Sequence, residues 1–579
     1  MSVLLAPETS RGRGSAHLRR AVALLEALPG SRMLVEAQAQ AGRLGSLLAG
    51  VDPSRIVAEA QGPYDLIVVD RFHASPDAIL GFLARGCTIG VDLGGAGRPY
   101  CDYLIDTLPR LDESAANEAD VRLLDLPEAE GEETRRPGTI LVSFGGEDPA
   151  RLTEPVAALL AQAGLGDRVR IVAPSMRSLG PLPAGLEVLG PQPTLEPLLR
   201  RAERVITSFG MTAYEAQAVG AKVVTIAPTR YHDRLARKAG FARAGVGSPV
   251  RRRLLTELRR TGEAAPPAAG LRGDGGVGGK ARREMARLIG DLPLPARRGC
   301  PAHPGSFGAA VWRAPEKSYF RCPRCGLVYL ERFAPDEEHY GASYFMEEYR
   351  AQYGRTYLED FDHIAAMGER RLSRARSVAK RRLDTVLDVG CAYGPFLATA
   401  RMHGLTPYGV DVADEAIAHV RRLGIEAVCG SILDTDPASV FDREAFDLVS
   451  LWYVVEHFDR LDELLCRLAD LVAPGGVLAM STPHARGVSA RRSRDRFYSA
   501  SPRDHFTIWD RSSARRVLLE YGFRVRAFVA TGHHPERYPA VQSAAGRIVG
   551  GTAHALAALH SRLFGWGDTF ELYAVREER

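Results

Sequence analysis

Short apolar runs alternate with amphipathic stretches over most of the chain, and this texture predicts strand–helix units. The apolar start SVLLA is followed by a helix-like run, LRRAVALLEAL, and by strand candidates at 32–36, 66–70 and 88–92. Such alternation favours a parallel α/β sheet. Around 126–138 the chain turns acidic and then basic, which reads as a linker. A second α/β block opens with TILVSFGGEDPA. Its strand candidates VRIVAP, RVITSFG and AKVVTIAP alternate with helices such as LTEPVAALLAQAG and MTAYEAQAVG. The Gly-, Ala- and Pro-rich stretch 261–279 predicts a loop, and KARREMARLIG a short closing helix. Between 299 and 344 cysteine, aromatic and turn residues dominate. A polar, partly helical stretch then runs to about Arg382, and a third α/β block starts at LDTVLDVGCAYG.

At 579 residues the chain is too long for one hydrophobic core. Hydrophobic residues at 45% and charged residues at 25% exclude wholesale disorder. Lys plus Arg total 75 and Asp plus Glu 70, so the net charge of +5 gives little reason to expect a nucleic-acid partner. Eight cysteines in this length do not make a disulfide scaffold, and a reducing cytoplasm fits their usage. The start lacks a secretory pattern, and no window supplies about 18 uncharged apolar residues, so no integral membrane segment is expected.

The densest chemistry lies in TVLDVGCAYGPFLATARMHGLTPYGVDVADEAI. A strand at 386–389 runs through Asp388 into Gly390, a glycine-bearing turn enters a helix, and a second strand at 408–410 ends in Asp411. Glycines let the backbone approach a ligand, and an acidic residue at the second strand's end suits ribose hydroxyls. The turn lacks the full pyrophosphate-binding GxGxxG, which favours a cofactor without a pyrophosphate over NAD. The alternative is a helix start with no ligand.

This segment resembles class I S-adenosylmethionine-dependent methyltransferases, whose turn reads Asp/Glu-x-Gly-x-Gly-x-Gly; DVGCAYG carries Ala392 at the middle glycine. The resemblance implies a Rossmann-like fold. In it Asp388, Gly390, Ala392 and Gly394 line the methionine part of the cofactor, Asp411 binds the ribose, and Ser431 and Ile432 lie beside the adenine. It extends over 384–484 through FDLVSLWYVVEHF and the PGG turn, and the tail adds SSARRVLLEYGFRVRAFVA and TFELYAVRE. Methyl transfer needs an aligned nucleophile in a desolvated pocket, and a base when the acceptor is a hydroxyl. His457, just past a strand end, is a candidate for that base, or else caps the turn or supports the cofactor pocket. His505, in RDHFTIW, is a second candidate beside an acceptor; its neighbours Phe506 and Trp509 also suit a core.

Cys322-x-x-Cys325 followed by Gly326 is half of a zinc knuckle, and Cys300-x-x-His303 supplies the other half. A tetrahedral Cys3His zinc would staple a segment too small for its own apolar core. A redox CxxC and a vestigial, metal-free module are the alternatives. Many methyltransferases of this type carry such a module ahead of the catalytic domain, followed by an aromatic stretch like EEHYGASYF. There the first pair is often Cys-x-x-Cys; here His303 stands in the second place.

Three motifs mark the N-terminal half: GSAHLRR, with Gly14, His17 and Arg20; SFGGEDP, with Gly145 and Gly146; and SFGMTAYEAQAVG, with Gly210, Thr212 and Glu215. Free amides at helix starts suit phosphate, and Glu215 suits a ribose or sugar hydroxyl; two ordinary doubly wound domains with tight turns read equally well. The set resembles two-domain nucleotide-sugar enzymes of glycosyltransferase-B arrangement. Its nearest likeness is to the UDP-sugar hydrolase of pseudaminic acid biosynthesis and its spore-coat polysaccharide relatives, over residues 2–290. Asp70 and the VDLGG turn at Asp92 add to the match. Tyr231-His232 stand where the family has Asn-Gln. The resemblance implies that His17 activates or positions water at the anomeric carbon.

These readings combine into four α/β-dominated parts. Residues 1–130 and 138–291 form the glycosyltransferase-B-like half, 298–345 a zinc-ribbon-like module, and 365–579 the methyltransferase. The expected protein is a bifunctional surface-glycan enzyme that uses S-adenosylmethionine and structural zinc. It acts on a nucleotide-sugar or glycan acceptor, alongside other glycan-biosynthesis enzymes. The alternatives are a methyltransferase with a binding-only nucleotide-sugar module, and a small-molecule methyltransferase unrelated to glycans.

Overall fold

The computed structural model divides the chain into two compact units, Met1–Leu292 and Pro293–Arg579. The described residues are 1–9, 16–35, 48–111, 115–124, 126–127, 136–145, 148–174, 178–192, 194–260, 280–335, 350, 354–538, 541 and 551–577. The predicted loop 261–279 and the aromatic stretch EEHYGASYF lie outside them.

The N-terminal unit holds two parallel sheets. The first contains β1 (Val3–Pro7), β2 (Arg32–Leu34), β3 (Ile56–Val57), β4 (Leu66–Asp70), β5 (Cys87–Val91), β6 (Tyr103–Asp106) and β7 (Glu118–Ala119), in the order 3-2-1-4-5-6-7. Strands β1, β4, β5 and β6 are buried along their whole length, which is why they read as continuous apolar runs. The second sheet contains β8 (Arg136–Val142), β9 (Val169–Val172), β10 (Glu187–Leu189), β11 (Ala202–Thr207), β12 (Lys222–Ala227) and β13 (Ala242–Val246), ordered 10-9-8-11-12-13. Each sheet reverses its strand order once, between β1 and β4 and between β8 and β11. Open α/β sheets bind ligands at the strands' carboxyl ends at such a point.

The expected linker is cut short, because β8 already begins at Arg136. Its start is held by Gly138, whose N–H donates to the Glu203 carboxylate at 2.6 Å. Pro and Gly read as a loop in sequence, but they sit at the tolerant end of this strand.

The C-terminal unit is built on one seven-stranded sheet. Its strands are β17 (Thr385–Val389), β18 (Thr406–Asp411), β19 (Glu426–Cys429), β20 (Phe446–Trp452), β21 (Val472–Pro483), β23 (Phe523–Thr531) and β24 (Thr569–Arg576). The order is 19-18-17-20-21-24-23, with β24 antiparallel to both neighbours. The last hairpin therefore inserts β24 between β21 and β23.

The cysteine-bearing segment forms β14 (Ala309–Ala314), β15 (Lys317–Arg321) and β16 (Val328–Arg332), and β16 pairs with β22 (Thr507–Ile508). Cys300, Phe320, Leu327 and Tyr329 share one buried cluster with Trp509, Phe523 and Phe570. The segment thus borrows its core from the larger sheet. Each fully buried large apolar side chain contributes about 1.5–3 kcal/mol. Among the described residues no helix is long and apolar enough to cross a membrane.

Candidate functional site

A cavity of about 1470 Å³ opens over the carboxyl ends of β17, β18 and β20. Gly390, Ala392, Asp411, Ser431, Ile432, His457 and His505 all line it. Gly390 has φ +70°, and a Cβ there would come within 2.4 Å of a Val454 methyl, so this turn needs glycine on two counts. Ala392 adopts φ +45° in the same turn, a conformation that costs an L-residue about 1 kcal/mol. Asp411 holds it there: one carboxylate oxygen accepts from the Ala392 N–H at 2.8 Å and the other from the Ala413 N–H at 2.9 Å. Each oxygen keeps a lone pair for a further donor such as a ribose hydroxyl.

Asp388 and Gly394 are not among the lining residues. Asp388 is buried beneath the turn, where it accepts from Ser450 Oγ at 2.6 Å, and burial lifts its pKa to about 8. Gly394, at φ +79°, starts the helix Pro395–Met402.

Past β20 the chain places Glu456, His457 and His505 together, with one polar atom of each within 4.8 Å of the others. The two imidazoles meet edge to face, their centroids 4.7 Å apart. His457 Nδ1 pairs with Asp504 at 3.0 Å. Burial pulls the His457 pKa down, but Asp504 and the Glu456 charge outweigh it and leave a net rise. Burial, aided by the His457 charge, drives His505 down to about 3. Burial also raises Glu456 to about 7, and its Oε2 has no hydrogen-bond partner among the described residues. Asp504 was missed from sequence, although it directly precedes His505. Tyr453 also lines the cavity, in a left-handed conformation at φ +60°. No sequence signal marked it.

The Cys300, His303, Cys322 and Cys325 side chains converge, with their ligand atoms within 4.8 Å of one another. Cys300 Sγ lies 3.9 Å from Cys325 Sγ and 3.7 Å from His303 Nδ1, and Cys322 Sγ lies 3.8 Å from His303 Nδ1. A tetrahedral zinc with bonds of about 2.3 Å to sulfur and 2.0–2.1 Å to nitrogen has edges of roughly 3.8 and 3.6 Å, so the four groups fit it. His303 Nε2 is 3.2 Å from Glu520, an outer carboxylate that fixes Nδ1 as the coordinating atom. Two residues separating redox cysteines would not explain the converging histidine.

In the N-terminal unit, His17 and Arg20 project from the helix Ala16–Ala27 that follows β1, onto the carboxylates of Asp70, the last residue of β4, and Asp92, just past β5. His17 Nδ1 lies 2.5 Å from Asp70 Oδ1. Arg20 donates to both Asp70 oxygens at 2.7 and 2.9 Å, to Asp92 at 2.7 Å and to Thr107 at 3.1 Å. Burial lowers the His17 pKa, but Asp70 more than restores it, for a net rise. Burial opposes ionisation of Asp70, yet Arg20 and His17 hold it down at about 2. The network sits at the sheet's reversal point.

Gly145 follows β8 and Gly210 follows β11, flanking the reversal point of the second sheet; open space lies where either Cβ would stand. Thr212 and Glu215 lie half-buried in the helix Met211–Ala218, while Tyr214 is fully buried against Phe209 and Phe241. Gly14 and Gly146 lie outside the described residues.

Residues 357–527 match the sequence profile of a methyltransferase domain. The chain is 32% identical over 103 residues to the ubiquinone biosynthesis O-methyltransferase of Bradyrhizobium sp. (strain ORS 278), which covers 17% of this chain and 39% of that protein. It is 30% identical over 103 residues to the protein of the same name from Coxiella burnetii (strain Dugway 5J108-111), covering 17% and 42%. The chain thus spans about two fifths of the length of these relatives. Among solved structures, a SAM-dependent methyltransferase from Archaeoglobus fulgidus aligns at 18% identity and TM-score 0.29, over 39% of this chain and 98% of that one. The C-terminal unit carries a SAM-dependent methyltransferase domain.

Proposed function

We propose that the chain methylates a hydroxyl of a small-molecule acceptor, with His457 as the base. The observation that carries this reading is the single cavity that joins the Gly390–Asp411 cofactor wall to the His457–His505 pair. Bound S-adenosylmethionine supplies a methyl group on its sulfonium. With Asp504 accepting from Nδ1–H, neutral His457 carries its lone pair on Nε2. That atom takes the hydroxyl proton as the acceptor oxygen bonds to the methyl carbon and the carbon–sulfur bond breaks. His505 stays neutral at physiological pH and adds no charge beside the acceptor. A zinc held by Cys300, His303, Cys322 and Cys325 would serve structure, because the three cysteine side chains belong to a buried packing cluster.

The N-terminal unit is read as a nucleotide-sugar module. The His17–Asp70–Arg20 network favours an active role for it, which would make the whole chain a surface-glycan enzyme that joins UDP-sugar hydrolysis or transfer to methylation. The full chain, incubated with labelled S-adenosylmethionine and a panel of hydroxylated acceptors including sugar nucleotides, tests the proposal. Acceptor-dependent formation of S-adenosylhomocysteine that is lost in His457→Gln supports it. Failure of the protein to bind the cofactor overturns it.

A further inference from the structure

The loop that brings Asp504 and His505 to His457 is anchored on the cysteine-bearing segment. Asp504 meets His457 Nδ1 at 3.0 Å, and the His505 ring stands edge to face against the same imidazole. Both residues follow the helix Arg494–Ala500, which ends at Ser501, where the backbone becomes extended. Just after them β22 pairs with β16, and the Phe506 carbonyl accepts from the Leu330 N–H at 3.0 Å. The loop is therefore held by this segment directly past His505.

Ahead of Asp504 the hold comes from one side chain. Lys317, the first residue of β15, is 3% exposed. Its Nζ donates to the Ser499 carbonyl at 3.0 Å and to the Ser501 carbonyl at 2.7 Å. The end of a helix leaves such carbonyls without intrahelical partners, and a cation there also meets the negative end of the helix dipole. The Trp312 and Tyr319 rings lie 5.7 and 6.0 Å from the same ammonium. Trp312 Nε1 donates to Asp495 at 2.9 Å, and Tyr319 packs on Tyr498 with centroids 4.9 Å apart, so the helix is docked on β14 and β15.

A buried cation is costly to desolvate, and an apolar side chain of similar length would fill the same space. Burial pulls the Lys317 pKa below the ordinary lysine value, with Glu316 opposing and Arg503 adding to the fall. What the charge adds is direction, because it draws the carbonyls at the helix end to one point shortly before Asp504. Its field also reaches the site: burial, the His457 charge and then Lys317 lower the His505 pKa.

We propose that Lys317 is a positioning residue for methyl transfer, which through the Ser499 and Ser501 carbonyls sets the loop that presses Asp504 and His505 against His457. The inference rests on the reading of His457 as the base, and it gives the cysteine-bearing segment a share in that base's geometry.

The test is the pH dependence of His457 reactivity toward diethyl pyrocarbonate, read by peptide mass spectrometry on the full chain. The reagent acylates the neutral imidazole, so the midpoint follows the His457 pKa. Glu456, Asp504 and His505 face that ring, and Asp504 and Glu456 hold its pKa above 6.5 against burial. In Lys317→Met the loop loses its anchor, Asp504 draws off, and the midpoint should fall by about 0.5 pH or more. Loss of a positive charge acting directly would move it upward, so the sign separates positioning from bare electrostatics. Lys317→Arg, which keeps the cation and its donors, should return at least half of the fall. A midpoint unchanged or raised in Lys317→Met, or no recovery in Lys317→Arg, overturns the proposal. Should Lys317→Met not fold, Lys317→Gln takes its place, and failure of both assigns the residue to the core and overturns the proposal as well. Calorimetry with S-adenosylhomocysteine should give affinities within about twofold of wild type, because Lys317 does not line the cavity. Absence of that binding in wild type sinks the methyltransferase reading, whereas an unmoved midpoint sinks only the role of Lys317.

Discussion

Asp411, at the end of β18, accepts the backbone N–H of Ala392 at 2.8 Å and so ties down the turn after the neighbouring strand β17. The carboxylate proposed for the ribose thus also shapes the loop proposed to face the methionine end of the cofactor. Asp411→Ala therefore removes two functions, and S-adenosylhomocysteine affinity should fall about 10- to 100-fold, as expected for one or two charged hydrogen bonds. Ala392→Gly relieves a left-handed conformation and should leave affinity within about twofold while raising Tm slightly. Calorimetry and a thermal melt read both; an unchanged Kd in Asp411→Ala would remove this residue from the cofactor site.

Glu456 and His457 both hold their protons more tightly in the folded state, so both make the C-terminal unit less stable as pH rises, by different causes and over different windows. Burial raises the Glu456 carboxyl to about 7, so the folded state holds this proton more tightly than the unfolded chain. Its contribution to stability falls as pH climbs from about 4.5 to about 7. Glu456→Gln escapes that loss and should be the more stable protein above pH 7, by at most about 3 kcal/mol, with no advantage near pH 4. His457 is also raised, but as a cation paired with Asp504. That pair stabilises below pH 6.5 and its contribution is lost as pH rises through the elevated pKa. Asp504→Asn should thus cost stability at pH 6 and little at pH 9. Denaturant melts across this range check both signs; a Glu456→Gln advantage confined to acid would reverse the assignment.

How much of this was legible in the sequence depended on whether the signal was local. Apolar runs located β4 and β17 to within a residue, because strands buried on both faces leave no other pattern. The turn at Gly390 and the four candidate metal ligands are local motifs; the fold brings the four ligands together, while Asp388 and Gly394 of the turn stand outside the cavity lining. The Asp504–His457 pair, the Glu520–His303 contact and the Arg374–Glu571 pair join residues 47 to 217 positions apart, and nothing in either partner's neighbourhood announces the other. β22, two residues long, carries no periodicity of its own and exists only because β16 offers it an edge.

Read as a zinc site, the Cys300, His303, Cys322 and Cys325 cluster predicts an effect on folding rather than on catalysis. Untagged protein should contain one zinc per chain by elemental analysis. Cys300 and Cys322 lie in the same buried cluster as Trp509 and Phe523, so chelation should lower the melting transition of the C-terminal unit. Glu520→Gln, which weakens the outer contact to His303, should raise the zinc Kd about 10- to 100-fold without removing a coordinating atom. Zinc content near zero in folded protein would reject the assignment.

His17 offers the sharpest test of the N-terminal unit. Asp70 holds its Nδ1 and raises its pKa above the ordinary 6.5 despite burial. Arg20 holds Asp70 in turn, so the carboxylate stays ionised at every pH where the histidine titrates. An acid role would use the protonated imidazole; activation of water at an anomeric carbon needs the neutral one. If His17 activates water, UDP release from a UDP-sugar by the full chain rises with pH through the elevated pKa and then levels. Asp70→Asn should move that limb to lower pH, since it removes the charge that raises it, and should cut kcat about 10- to 100-fold by freeing the ring. His17→Ala should abolish release while leaving UDP binding nearly unchanged. Release only when a glycan acceptor is added would mark a transferase, with the same histidine taking the proton of a sugar hydroxyl. UDP binding without release under either condition would leave this unit as a recognition module, and the Arg20 network would then serve only to shape its floor.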